Sequence, residues 1–255
     1  MFENFKQLRS TLSASLLLCV LATSSTVLVA KESATAVRPF DLEPFRKPAL
    51  EKWSEAIAAL EAKDKVEKHP DDAILFIGSS SIRLWKDIAA DMSPYHPIQR
   101  GYGGARWTDV AVFAERLITP HKFRAVVFFV GNDIVGRADD RTPEEVVQLF
   151  AGVHAIARKH QPEAAIFYVA VTPTESRQKA WSKIREGNFL VRKFCQQQKN
   201  THFIGTESIY LNAEGHARAE LFLGDKLHLN RNGYIRWAAA ITSHLDTVLG
   251  GVEIE

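Results

Sequence analysis

The stretch AVVFFV, residues Ala125–Val130, is a run of β-branched and aromatic residues that ends at Gly131-Asn132-Asp133. A short, continuous apolar run of this composition, closed by turn-forming residues, is typical of a strand buried on both faces. Strands of that kind belong to parallel sheets whose two faces are covered by helices. The stretch therefore predicts an α/β domain.

Four further strands are predicted around this one, and helical patterns separate the five. The other strand segments are Ala73–Ile77, a weaker one around Ile98, Ala165–Val171 and, weakest, His202–Ile204. Helices are indicated by apolar spacings of three and four over residues 50–60, the capping box Thr142-Pro143-Glu144-Glu145, an apolar face around Val191 and a C-terminal segment over about 233–249. This alternation predicts a three-layer α/β/α sandwich with a five-stranded parallel sheet, in which ligands bind beyond the carboxyl ends of the strands.

Length and charge limit the class of protein. The chain has 255 residues and a formal net charge of +2. The length fits about one large domain, and the near-balanced charge gives no reason to expect nucleic acid as a partner. Lys6 and Arg9, followed by the apolar run Leu12–Ala22, predict a signal peptide over residues 1–30, with an uncleaved anchor as the alternative. The apolar run is too short to predict a stable membrane span.

The expected product of this processing is an exported protein, periplasmic or extracellular, with a linker over residues 31–42 and one domain over 43–250. Removal of the leader leaves Cys195 as the lone cysteine, which excludes an intramolecular disulfide and a thiolate metal cage. No metal and no cofactor is predicted, and the sequence does not fix the oligomeric state. Six histidines without ligand spacing are predicted to be surface or capping residues: His96, His121, His154, His160, His202 and His216.

Three short motifs directly follow predicted strands. In Ile77-Gly78-Ser79-Ser80-Ser81-Ile82, glycine permits a tight strand-to-helix turn, and a serine at the helix N-terminus is placed where partial positive charge favours an alkoxide. Serines there are equally good helix caps. Arg100-Gly101-Tyr102-Gly103-Gly104 can offer backbone N–H groups to an anion, although such loops are more often simple turns. In Val130-Gly131-Asn132-Asp133, after the strongest strand, Asn132 carries a neutral amide donor suited to an oxyanion, although Asn-Asp also begins many ordinary turns.

A fourth motif, Gly224-Asp225-Lys226-Leu227-His228-Leu229-Asn230, places an aspartate three residues before a histidine. On one turn of chain, the carboxylate can hold one ring nitrogen and direct the other at a nucleophile. A surface ion pair and a metal site are the alternatives, but no second nearby histidine or cysteine completes a ligand set.

In this order, the four motifs resemble the four blocks of the SGNH hydrolase superfamily, also called GDSL esterases and lipases. The resemblance covers about Asp72 to Leu249 and implies a flavodoxin-like sheet over the 43–250 domain. It also implies that Ser80 is the nucleophile, His228 the general base and Asp225 its orienting partner. The oxyanion donors it implies are the backbone N–H groups of Ser80 and Gly104 and the side chain of Asn132.

The sequence departs from the family pattern at three positions. Ser79 stands where the family usually has aspartate, and Ser81 replaces an aliphatic residue, so Ser79 and Ser81 remain alternatives to Ser80 as the nucleophile. Val130 replaces a glycine two residues before the asparagine. The α/β-hydrolase fold shares the order Ser, Asp, His, but Ile82 stands where its nucleophile elbow needs glycine. Its acid also lies far from the histidine in sequence, so the three-residue spacing of Asp225 and His228 decides against it.

The resemblance implies a carboxylic ester hydrolase that forms an acyl-enzyme and removes short acyl groups, with O-acetyl carbohydrate as the expected substrate class. The alternatives are a lysophospholipase or thioesterase of the same family, and a glycan-binding module that has lost turnover. Trp181, near Arg177, is predicted to contact substrate, with packing against the core as the alternative. Three further residues near the motifs are expected to serve packing or ion pairing: Arg83, Trp85 and Asp133.

Overall fold

The structure is a computed structural model that describes residues 37–250. The predicted signal peptide or anchor, residues 1–30, lies outside the described residues, as do residues 31–36 of the predicted linker. The strands are β1 Ile74–Gly78, β2 Pro97–Gly101, β3 Ala125–Phe129, β4 Ala165–Val169 and β5 Thr201–Ile204. The helices are α1 Glu43–Asp64, α2 Ser80–Arg83, α3 Ile88–Asp91, α4 Trp107–Ile118, α5 Pro143–His160, α6 Trp181–Gln197, α7 Glu207–Tyr210 and α8 Arg231–Leu249.

The five strands form one parallel sheet in the order β2-β1-β3-β4-β5. This is the flavodoxin-like order, whose switch point lies between β1 and β3, where successive crossovers leave in opposite directions. Gly78 at the end of β1 is in register with Gly101 of β2 and Phe129 of β3. The predicted α/β/α fold is therefore confirmed, and the ends of three strands meet at one edge.

Alternation of side chains along the buried strands divides the core into two layers. In β1, Leu75 and Ile77 belong to the layer under α1, α4, α5 and α6, whereas Ile74 and Phe76 belong to the layer under α8 and the short helices α2 and α3. Trp85 lies in the second layer, where its ring stacks on Tyr234. Its predicted packing role is confirmed.

Two of the histidines predicted to be surface or capping residues are buried, so that prediction was wrong for them. His154 packs against Phe194, and its Nε2 lies 2.9 Å from Thr201 Oγ1. His121 lies 3.4 Å from the carboxylate of Asp64. Burial lowers the pKa of each imidazole to about 4, so both rings are neutral at physiological pH and fit the core.

Within residues 37–250, no helix combines the length and apolar character needed to cross a membrane.

Candidate active site

The turn from β1 into α2 presents Ser80 at the switch point of the sheet. A Cβ on Gly78 would lie 2.1 Å from the carbonyl oxygen of Phe129, so no larger residue fits where β1 passes β3. The N–H of Ser79 donates to that same oxygen over 3.1 Å. Helix α2 then begins at Ser80. The Ser80 side chain lines a pocket at the carboxyl edge of the sheet instead of packing in the core.

Ser80, His228 and Asp225 form a continuous hydrogen-bonded chain. His228 Nε2 lies 2.9 Å from Ser80 Oγ, and His228 Nδ1 lies 2.6 Å from Asp225 Oδ2. Asp225 and His228, which follow β5 and α7 in the chain, therefore meet a serine nearly 150 positions earlier. The three side chains predicted as a triad have the order and spacing that serine activation by a histidine requires.

The Asp225 carboxylate is held by the turn that it begins. Its Oδ1 accepts the backbone N–H groups of Leu227 at 3.0 Å and His228 at 2.9 Å, while Lys226 adopts a left-handed φ of 58° to close the turn. Burial opposes ionisation of this carboxyl, but the hydrogen bonds from the His228 ring and the two N–H groups outweigh it. The pKa of Asp225 consequently lies below its ordinary value.

Asn132, near the start of the loop after β3, lines the pocket that contains Ser80. Its Nδ2 donates to the carbonyl of Ala105 over 3.0 Å, which leaves the second Nδ2 hydrogen for the pocket. Gly104 precedes Ala105 in an exposed turn. Among residues 37–250, no acceptor engages the backbone N–H of Ser80 or of Gly104. Ser80 and Asn132 line the pocket, whereas Gly104 is not among its lining residues. The structure therefore brings two of the three predicted oxyanion donors together, and the role of Gly104 stays a prediction.

Arg177 is a residue of this site to which the sequence motifs assigned no role. It lies in the short 3-10 segment Glu175–Ala180 after β4 and lines the pocket beside Asn132. Its guanidinium donates to the carbonyl of Gly131 and, over 2.6 Å, to Asn132 Oδ1. Burial lowers the pKa of Arg177 to about 10, so the side chain remains charged at neutral pH. Its place in the loop after the fourth strand, near Trp181, was the sequence signal that pointed to it.

Asp133 lies behind the site and contacts α4 instead of Ser80. Both of its carboxylate oxygens accept the backbone N–H of Trp107, at 3.0 and 3.1 Å, which caps the N-terminus of α4. Burial raises the pKa of Asp133 to about 7 even though this N–H favours the charged form. Arg83, in contrast, is exposed.

The pocket at Ser80 is small, and its walls are partly polar and partly apolar. The space that the centre of a water molecule can occupy is about 20 Å³, enough for one or two waters. Thr172, Thr174 and Arg177 supply polar walls, and Phe129 and Leu227 supply apolar ones. Trp181 does not line this pocket: it begins α6, is partly buried and packs against the core layer under α1, α4, α5 and α6. Its predicted contact with substrate stays a prediction.

Metal binding is the alternative that the sequence left open for Asp225 and His228. Across the described residues 37–250, no group of three or more histidine, cysteine or carboxylate side chains is arranged to hold a metal ion.

Comparisons with known proteins bear on the fold. No family model and no curated protein matches the sequence. Solved structures do match. A GDSL-like lipase from Bacteroides thetaiotaomicron has a TM-score of 0.64 at 16% identity, over 75% of this chain and 97% of that one. A lipase/acylhydrolase from Enterococcus faecalis has a TM-score of 0.53 at 18% identity, over 69% and 96%. A carbohydrate esterase family 3 protein from Talaromyces cellulolyticus has a TM-score of 0.54 at 17% identity, over 71% and 100%. The chain has the fold of these hydrolases.

Proposed function

We propose that this protein, which has the SGNH hydrolase fold, is a serine ester hydrolase that works through an acyl-enzyme. The observation that carries the proposal is the chain Ser80–His228–Asp225, with 2.9 Å between serine and histidine and 2.6 Å between histidine and aspartate. Such a chain is needed because a serine hydroxyl is a weak nucleophile until a base removes its proton.

In the proposed reaction, Ser80 Oγ attacks the ester carbonyl while His228 Nε2 takes its proton. The carbonyl oxygen becomes an oxyanion that the N–H groups of Ser80 and Gly104 and the amide of Asn132 stabilise. His228 then gives the proton to the leaving alcohol, and the acyl group stays on Ser80. Water, activated by the same imidazole, attacks the acyl-enzyme and releases the acid. Asp225 keeps the imidazole oriented and stabilises its charged form throughout.

The size of the pocket favours a short acyl group. Space for one or two waters beside Ser80 accommodates an acetyl group far better than a long alkyl chain. The polar side chains of Thr172 and Thr174 also suit a polar ester more than a lipid. We therefore propose O-acetylated carbohydrate as the substrate class, reached outside the cytoplasm through the predicted export signal. The carbohydrate esterase among the structural neighbours supports this choice.

The non-catalytic glycan-binding alternative has one argument in its favour, which is the altered serine motif. Against it stands the retained contact between Ser80 Oγ and His228 Nε2, because a binding module has no need of a base at hydrogen-bonding distance from a serine. The hydrolase is therefore the better proposal.

Hydrolysis of a short-chain nitrophenyl ester and of an acetylated xylo-oligosaccharide tests the proposal. We expect Ser80→Ala to abolish hydrolysis of both esters, and the matched controls Ser79→Ala and Ser81→Ala to retain most of it. Loss of hydrolysis in Ser79→Ala or Ser81→Ala, with hydrolysis retained in Ser80→Ala, would show that the nucleophile is Ser79 or Ser81 instead of Ser80. Glycan binding by the wild type without any hydrolysis, unaffected by Ser80→Ala, would support the binding module instead.

A further inference from the structure

The amide of Asn132 is fixed at both of its ends by groups from different parts of the fold. Its oxygen Oδ1 accepts from the guanidinium of Arg177 over 2.6 Å, and its nitrogen Nδ2 donates to Ala105 over 3.0 Å. The same guanidinium donates to the carbonyl of Gly131, the residue before the asparagine. The Arg177 side chain thus holds both the carbonyl of Gly131 and the side-chain amide of Asn132 in the loop after β3.

The chemistry of these partners leaves one orientation for the amide. A guanidinium has five N–H donors and no acceptor, so the atom that faces Arg177 must be Oδ1. The carbonyl of Ala105 is an acceptor, so the atom that faces it must be Nδ2. Without such partners, the terminal torsion of an asparagine is broad and nearly two-fold, and both faces of the amide can turn toward the pocket.

We propose that Arg177 is a positioning residue that holds Asn132 with Nδ2 toward the developing oxyanion. This inference rests on the proposed ester hydrolysis and assigns to it a residue outside the four motifs. The hydrogen bond from a cation to Oδ1 also withdraws electron density from the amide, which makes its N–H a stronger donor. Arg177 therefore acts on catalysis through Asn132, without contacting the reacting atoms.

Geometry explains why lysine would not serve as well. The planar fork of arginine reaches Gly131 O and Asn132 Oδ1 together, whereas a lysine ammonium is a compact point charge on a flexible stem. Lysine preserves the charge near the pocket but not the two-point hold. A comparison of the two substitutions therefore separates a general effect of positive charge from the positioning of the amide.

A double-mutant cycle between Arg177 and Asn132 tests the proposal. Loss of one oxyanion donor costs about 100- to 1,000-fold in kcat, which sets the expected effect of Asn132→Ala. We expect Arg177→Met to lower kcat about tenfold or more with KM changed little, and Arg177→Lys to recover only part of the loss. In the Asn132→Ala background, Arg177→Met should lower kcat less than about threefold, because the group that it positions is gone.

Arg185→Met, an exposed arginine on α6 that pairs with Glu207, is the matched control and should keep wild-type kcat. Thermal unfolding establishes that each variant is folded, and Arg177→Lys carries the test where Arg177→Met fails to fold. An equal loss of kcat with and without the Asn132 amide would overturn the proposal, because Arg177 would then act independently of it. Unchanged kcat in Arg177→Met would also overturn it.

The rate at which a fluorophosphonate labels Ser80 is a second readout, because its phosphoryl oxygen needs the same donors as an ester oxyanion. Arg177→Met should be labelled more slowly than the wild type, and the double variant Arg177→Met/Asn132→Ala no more slowly than Asn132→Ala alone. This result supports the positioning role even where no tested ester is hydrolysed. Absence of both hydrolysis and labelling in the wild type would overturn the proposed function and, with it, this role. Normal labelling and turnover in the wild type with no effect of Arg177→Met would overturn the positioning role alone.

Discussion

Three consecutive serines differ in their surroundings once the chain is folded. Ser79 is 2% exposed and its N–H is bonded to Phe129, whereas the carbonyl of Ser81 accepts the hydroxyl of Tyr234 over 2.9 Å. Ser80 alone among the three has its hydroxyl at hydrogen-bonding distance from His228. The motif predicted a serine at this turn but left the register open, because three identical residues differ only in the direction that the turn gives them.

Asp225→Asn should slow turnover greatly while leaving the fold intact. The amide cannot stabilise the imidazolium of His228, and it favours the wrong ring tautomer, an effect that reaches about 10⁴-fold for a buried triad aspartate. We expect a smaller loss here because the side chain of Asp225 is 47% exposed to water. Steady-state kinetics near neutral pH measures it. Wild-type turnover in this variant would mean that Ser80 and His228 act as a dyad.

Among the strands, the clearest sequence patterns were those of segments that the structure buries on both faces. The predicted strands Ala125–Val130 and Ala165–Val171 match β3 and β4 to within two residues at their ends, because every residue of each strand is buried. β2 was predicted weakly because it is an edge strand that pairs only with β1. Its Arg100 is nevertheless buried and held by Asp64 and Glu67, an arrangement that hydrophobic periodicity cannot reveal.

The capping box predicted for α5 is confirmed, and its contribution to stability can be measured. Thr142 Oγ1 accepts the N–H of Glu145, and the Glu145 carboxylate accepts the N–H of Thr142. Thr142→Ala should lower the free energy of unfolding by about 1 kcal/mol and the Tm by about 2–4 °C, with unchanged kcat. Thr247→Ala, an exposed threonine inside α8, is the matched control. An equal Tm for Thr142→Ala and wild type would show that the box contributes nothing.

The sequence predicted that the carboxyl ends of the strands would meet, but not which loop residues would touch there. The order β2-β1-β3-β4-β5 brings the loop after β4 beside the loop after β3, so Arg177 reaches Asn132 across 45 positions. No local pattern encodes such a contact, because it depends on the register of two loops. The same holds for His121 and His154, whose burial follows from helix packing and not from their neighbours in sequence.

The buried carboxyl of Asp133 contributes a pH dependence to stability that is opposite in sign to that of a carboxyl with a lowered pKa, such as Asp225. Its pKa is raised from an ordinary 3.8 to about 7, so between pH 4 and 7 the folded protein binds more protons than the unfolded chain. Stability contributed by this group is therefore present at low pH and is lost as the pH rises toward 7. Denaturant unfolding of wild type and Asp133→Asn across this range measures the effect.

The stability of Asp133→Asn relative to wild type should increase from pH 4 to 7 and then level off, since the amide does not titrate. Parallel stability curves for the two proteins over that range would contradict the raised pKa of Asp133.

If Ser80 is a nucleophile that His228 activates, a fluorophosphonate should react with Ser80, and this reaction should depend on His228. Mass spectrometry of the digested adduct should locate a single phosphonyl group on Ser80 in the wild type, and the His228→Ala variant should be labelled far more slowly. A stable adduct on Ser79, on Ser81 or on a serine outside this turn would show that Ser80 is not the nucleophile. Labelling of Ser80 at the same rate without His228 would show that His228 does not activate it.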